Sequence, residues 1–94
     1  MRVVGRQTIE DFCVRYPEAR GRMNAWLVEA EHAIWKRPAD LKARYASASF
    51  LAGSTVVFNI GGNRFRLVAK VAFQSGTVMV VRVGTHAEYD AWKL

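Results

Sequence analysis

The spacing of apolar positions changes once along the chain, near residue 55, from a helical period to alternation. In the first half Ile9, Phe12, Cys13 and Tyr16 recur at i, i+3, i+4 and i+7. This predicts an amphipathic helix with Thr8 as N-cap, Glu10 and Asp11 in the first turn, and Pro17 as its stop. A second helix is predicted from about Glu18 to Trp35, since Met23, Trp26, Leu27, Ala30, Ala33 and Ile34 trace one face. The two make a helical hairpin. Before them, the apolar run at residues 2–4 ends at Gly5 and suits only an edge or terminal strand. After them, Pro38–Tyr45 reads as a short turn or helix with proline in its first turn, and Ala46-Ser47-Ala48-Ser49 as a connection.

In the second half β-branched residues dominate, and three strands are predicted at Thr55–Ile60, Arg64–Phe73 and Thr77–Val83. Gly61-Gly62 and Gln74-Ser75-Gly76 between them have hairpin chemistry, so the strands form an antiparallel meander. The central strand alternates strictly, with Phe65, Leu67, Ala69, Val71 and Phe73 toward the core. A two-residue type I′ turn at Gly61-Gly62 pairs Ile60 with Asn63, Phe58 with Phe65, Val56 with Leu67 and Asn59 with Arg64. A three-residue second turn pairs Phe73 with Thr77, puts Met79, Val81 and Val83 in the core, and sets Arg82 beside Val68. A slip of one residue would bury Arg82 without a counter-charge, so that register is rejected. Thr85-His86-Ala87-Glu88 has the form of a capping box and predicts a last helical turn over about His86–Trp92. The order β-α-α-β-β-β-α over residues 1–94 describes a single α+β domain, the helical hairpin packed on one face of a small antiparallel sheet.

This register leaves a basic face. Arg64, Arg66, Lys70 and Arg82 gather there, Asn59 joins them, and His86 and Tyr89 enter from the chain after Arg82. Guanidinium forks hold phosphate, and an imidazole and a phenol offer proton transfer or base stacking. The plainer reading is that an open sheet face must be polar somewhere. Against it, the strands put only cations on this face and no Asp or Glu.

Composition agrees in sign: fourteen Lys and Arg against eight Asp and Glu leave +6, and ten of the fourteen are arginine. Such a balance suits RNA phosphate and an acidic partner protein about equally. Cys13 is the one cysteine, so no internal disulfide forms, and with only His32 and His86 beside it a four-ligand Cys/His zinc site cannot be assembled. Neither a metal nor a cofactor is expected. A reducing, cytoplasmic setting fits, and the absence of a signal-length or membrane-length apolar run predicts a chain that is neither exported nor membrane-spanning.

Other chemistry is weaker. His32 lies among Glu29, Glu31 and Lys36 and reads as a solvated histidine; Cys13 reads as a structural thiol; Trp26 and Trp35 read as packing anchors. The Gly61-Gly62 turn lacks the Lys-Ser/Thr ending of a P-loop, and no nucleophile elbow surrounds any serine.

The stretches Val57-Phe58-Asn59-Ile60-Gly61-Gly62-Asn63-Arg64-Phe65-Arg66-Leu67-Val68, Thr85-His86-Ala87-Glu88-Tyr89-Asp90 and Lys36-Arg37-Pro38-Ala39-Asp40-Leu41-Lys42 resemble the HigB family of bacterial toxin–antitoxin toxins. The resemblance implies a RelE-like fold, ribosome-associated cleavage of messenger RNA, and neutralisation by a HigA-like antitoxin with a helix-turn-helix. Residue by residue it carries over Asn63 and Arg66 from the strand motif, His86, Tyr89 and Asp90 from the ending, and Lys42 from the middle segment. Arg64 stands at a variable position of the motif, and the tail ends at Leu94 where some relatives continue.

Taken with the basic face, the resemblance implies a metal-independent endonuclease in which the substrate's 2′-hydroxyl attacks the adjacent phosphate. Arg66, with Lys70 or Arg82, would stabilise charge on the phosphorane. His86 would act as general acid or base, and Tyr89 would orient or stack a base. Arg64, Lys70, Arg82, Asn59, Asn63 and Lys42 would hold RNA. The alternative is a non-catalytic basic module that binds RNA or a partner protein.

Overall fold

The computed structural model describes residues 1–92 and places a five-stranded mixed sheet between helices of unequal size. Its elements are β1 (Arg2–Val4), α1 (Arg6–Arg15), a 3-10 turn (Pro17–Ala19), α2 (Arg20–His32), α3 (Pro38–Arg44), β2 (Ser49–Leu51), β3 (Thr55–Ile60), β4 (Phe65–Ala72), β5 (Thr77–Thr85) and α4 (His86–Ala91). Strand order is β1-β5-β4-β3-β2; β1 runs parallel to β5 and every other pair is antiparallel. The architecture is α+β, as the change of period predicts.

The core lies between α1, α2 and the sheet. Ile9, Phe12 and Cys13 from α1 and Met23, Trp26, Leu27 and Ala30 from α2 cover Phe65, Leu67, Ala69 and Val71 of the central strand. Fully burying side chains such as Phe58, Met23 and Leu67 contributes about 1.5–3 kcal/mol each. Trp26, Trp35, Tyr45 and Phe58 form an aromatic group, so both tryptophans are packing anchors as expected. Burial pushes the Cys13 thiol up, which keeps it protonated and inert.

Several boundaries differ from the sequence reading. α1 begins at Arg6, so Thr8 is an interior residue and not the N-cap, and Glu10 and Asp11 fall past the first turn. The cap is Gly5, at φ 90°, where a Cβ would stand 2.6 Å from the Val80 carbonyl. That position turns the chain sharply out of β1 while β1 packs on β5, and only glycine fits it. α2 ends at His32, short of Trp35: Ala33 is extended, Ile34 is 78% exposed, and the Met1 amino group donates to the carbonyls of Ala30 and Glu31. The stretch read as a connection runs into β2, a three-residue edge strand too short for periodicity to reveal.

Both hairpins also turn wider than expected. Residues 61–64 form the first turn, so Ile60 pairs with Phe65 and Asn59 with Arg66. This departs from a two-residue type I′ turn, although a shift of two residues leaves the paired side chains of β3 and β4 on their predicted faces. The second turn spans residues 73–76, which pairs Ala72 with Thr77 and makes Val78 and Val80 core residues; Met79 and Val81 are exposed, against expectation. A bulge at Val81, which has no partner between Val80 and Arg82, then restores the expected pairs Val68–Arg82 and Leu67–Val83. Without that extra residue Arg82 would enter the core and Val83 would leave it.

Among the described residues no helix is long and apolar enough to cross a membrane.

Candidate active site

Arg66 is the centre of the sheet's second face. It points away from the helical core yet is only 7% exposed, because α4 folds back across β4 and β5. Thr85 caps α4 by accepting from the Glu88 amide at 3.1 Å while Glu88 accepts from the Thr85 amide at 2.9 Å, the reciprocal box predicted from sequence. The His86 amide also donates to the Arg64 carbonyl at 2.9 Å, tying the start of α4 to the β3–β4 turn. Glu88 reaches Arg15 of α1 at 3.0 Å. The Thr85 amide, helped by Arg15, holds the Glu88 carboxyl below the usual carboxylate range.

The Arg66 guanidinium is held by neutral acceptors. Nη1 donates to the carbonyls of Asn63 at 3.2 Å and Phe65 at 3.1 Å, and Nη2 donates to Asn63 Oδ1 at 2.6 Å. Nη2 also lies 3.3 Å from His86 Nδ1. Its Cζ stands 5.7 Å from the Tyr89 ring centroid, within cation–π range. Among the described residues no carboxylate pairs with it. A buried cation without a counter-ion costs several kcal/mol relative to a paired one, and the residual field above it attracts anions.

Of the predicted site residues, the fold brings Asn59, Asn63, Arg66, His86 and Tyr89 together. Asn59 sits directly across from Arg66, and its amide reaches the Ser47 carbonyl at 3.5 Å. Lys70 and Arg82 share the face at a distance. Lys70 lies four residues along β4, about 13 Å away, exposed opposite Thr55. Arg82 is exposed, with its Cζ 4.8 Å from the Trp92 ring centroid.

Arg64 and Lys42 are not there. Because the turn is four residues long, Arg64 falls outside β4 and turns toward the helical side, its guanidinium 4.9 Å from the Phe65 ring and 3.7 Å from Glu18. Lys42 is also on the helical side, donating to the Ala48 carbonyl at 2.5 Å and lying 6.0 Å from the Phe50 ring. His32 is exposed, and its Nδ1 lies 2.9 Å from the Val28 carbonyl.

Two further groups stand at the site: Asp90, which the family resemblance carries over without a stated role, and Trp92, to which the sequence assigned none. Asp90 Oδ1 lies 3.6 Å from His86 Nδ1, an i, i+4 relation on α4 that spacing could have signalled. Trp92 packs on Gly84, which pairs with Arg66 across the strands; nothing local in the sequence announces that contact.

A concavity lies elsewhere. An open groove of about 710 Å³ on the outer side of α2, lined by Ala25, Val28, Glu29, His32, Trp35 and Arg44, is mostly apolar, and its Glu29 and Arg44 are paired with each other. The cluster around Arg66 lies instead on the sheet face opposite the helical core.

Comparison with known proteins gives a consistent result. The family model of the HigB toxin, a RelE-like toxic component of a toxin–antitoxin system, matches residues 19–92. The mRNA interferase toxin HigB of Escherichia coli K12 is 32% identical over 92 residues, covering 96% of this chain and 88% of that protein. The proteins named mRNA interferase HigB in Escherichia coli O157:H7 and Shigella flexneri match with the same identity and coverage.

Proposed function

Because the chain belongs to the HigB family, the RelE-like toxic component of toxin–antitoxin systems, we propose that it is an endonuclease that cleaves messenger RNA and thereby inhibits translation. The observation that carries this reading is the nearly buried Arg66, without a carboxylate partner among the described residues, in contact with both His86 and Tyr89 on the sheet face that also carries Lys70 and Arg82. The relatives named mRNA interferase support the substrate class.

The cleavage proceeds through the substrate's own nucleophile. The 2′-hydroxyl attacks the adjacent phosphate, and the field of Arg66 stabilises charge that develops on the phosphorane oxygens. His86 transfers a proton, and Tyr89 orients or stacks a base beside it. Asn59 and Asn63 border the reacting phosphate, while Lys70 and Arg82 hold the flanking backbone. No metal or cofactor takes part. The chain acts in the cytoplasm on ribosome-bound messenger, and a HigA-like helix-turn-helix antitoxin neutralises it.

Purified protein incubated with messenger RNA, with and without ribosomes, tests this reading. Products ending in 2′,3′-cyclic phosphate are expected. Shifted mobility with intact RNA under both conditions would instead support a binding module without catalysis.

A further inference from the structure

His86 Nδ1 has two neighbours of opposite charge: Arg66 Nη2 at 3.3 Å and Asp90 Oδ1 at 3.6 Å. A guanidinium has only donors, so its contact with a ring nitrogen requires a lone pair on that nitrogen. A neutral imidazole that accepts from Arg66 at Nδ1 carries its proton on Nε2. That nitrogen makes no hydrogen bond among the described residues, on a side chain that is 46% exposed. The surrounding charges do not alter this. Glu88 is turned to Arg15, the Arg64 guanidinium is turned to Glu18, and Tyr89 stands over Arg66.

From this arrangement we infer that His86 is the proton donor of the cleavage and not its base, and that Arg66 and Asp90 act on it as positioning residues. The inference rests on the endonuclease reading and assigns a role within it. A base needs a lone pair facing the substrate, yet the only lone pair of the neutral ring, on Nδ1, faces Arg66. The opposite tautomer would set an N–H against the guanidinium N–H.

Charging the ring adds a proton at Nδ1, which breaks the Arg66 contact and gives Asp90 a donor to accept from. It also releases one Arg66 N–H toward the phosphate. The charged ring then gives its Nε2 proton to the 5′-oxygen. The P–O5′ bond breaks as the 2′-oxygen bonds to phosphorus, and the 2′-hydroxyl proton passes to water. The ring is left neutral with its proton on Nδ1, facing Asp90, and exchange with solvent returns it to the resting form.

Two measurements test this. In the free protein, ring ¹⁵N shifts of His86 on the alkaline side of its titration should show the proton on Nε2, and Arg66→Met should shift it toward Nδ1. A wild-type neutral ring with its proton on Nδ1 would overturn the inference whether or not Arg66→Met folds. In the second, RNA with a 5′-bridging sulfur at the scissile position supplies a leaving group that needs no proton. His86→Gln should cleave it at the wild-type rate while cleaving ordinary RNA roughly 10²–10⁴-fold more slowly; equal slowing on both substrates would overturn the donor role. Failure of the wild-type protein to cleave either RNA would overturn the endonuclease reading itself, and the ring measurement would still decide the tautomer.

Discussion

The indole of Trp92 lies directly on the backbone of Gly84: a Cβ at residue 84 would stand 2.6 Å from Trp92 Cζ2 and 2.7 Å from Cη2. Gly84 pairs with Arg66 across β4 and β5, so this bare backbone is what lets the end of α4 settle beside the buried guanidinium. Gly84→Ala should push Trp92 and α4 outward, an overpacking cost of about 1–3 kcal/mol. The helical core lies on the sheet's other face and should persist. Thermal unfolding should therefore stay cooperative, while RNA cleavage falls by more than tenfold.

That contact marks the limit of what the sequence made legible. The period of α1 and α2, the alternation of β4 and the Thr85–Glu88 box are each written within a dozen neighbouring residues, and all appear in the structure. The basic face was legible only in part. Arg66 and His86 meet because β4 alternates and α4 is capped, but Arg64 leaves the face because the turn holds four residues where two glycines suggested two. The Val81 bulge was invisible because two opposite errors in turn length and strand regularity cancel at Arg82. β1 joins β5 through a parallel, nonlocal pairing that no local pattern encodes.

Acid should loosen α4 before it unfolds the domain. The Glu88 carboxyl titrates lower in the folded chain than in the unfolded one, since the Thr85 amide and Arg15 favour its charged form. Its stabilisation is accordingly present above the unfolded value and lost as pH falls through the folded one. Amide exchange of α4 residues should accelerate over that acidic range while the β4 amides remain protected. Glu88→Gln should raise α4 exchange at neutral pH and remove its acid dependence.

Tyr45 carries a buried hydroxyl that makes no well-formed hydrogen bond among the described residues, although the Glu29 carboxylate lies near it, on a ring packed edge-on against Phe58 and Trp35. Burial, and after it the nearby Glu29 carboxylate, push its ionisation up, so the phenol stays neutral. Tyr45→Phe keeps the ring contacts and removes an unsatisfied polar atom. Stability should hold or rise by about 1 kcal/mol in urea unfolding, with activity unchanged. A loss of more than that amount would mean the hydroxyl has a partner.

Arg82 and His86 should separate binding from chemistry. Arg82 is exposed, rests on Trp92 and makes no ion pair among the described residues, so its charge is available to phosphate. Arg82→Ala should weaken RNA binding and flatten the dependence of log affinity on log salt by about one, the share of one phosphate contact. His86→Gln should leave both quantities near wild type, because a ring that donates its proton to the leaving oxygen adds little to ground-state affinity. Its cost belongs to single-turnover cleavage of ordinary RNA, where general acid catalysis is worth roughly 10²–10⁴-fold. If Arg82→Ala instead slows the saturated step and His86→Gln flattens the salt slope, the phosphate grip lies at α4 and the division of labour on this face is the reverse.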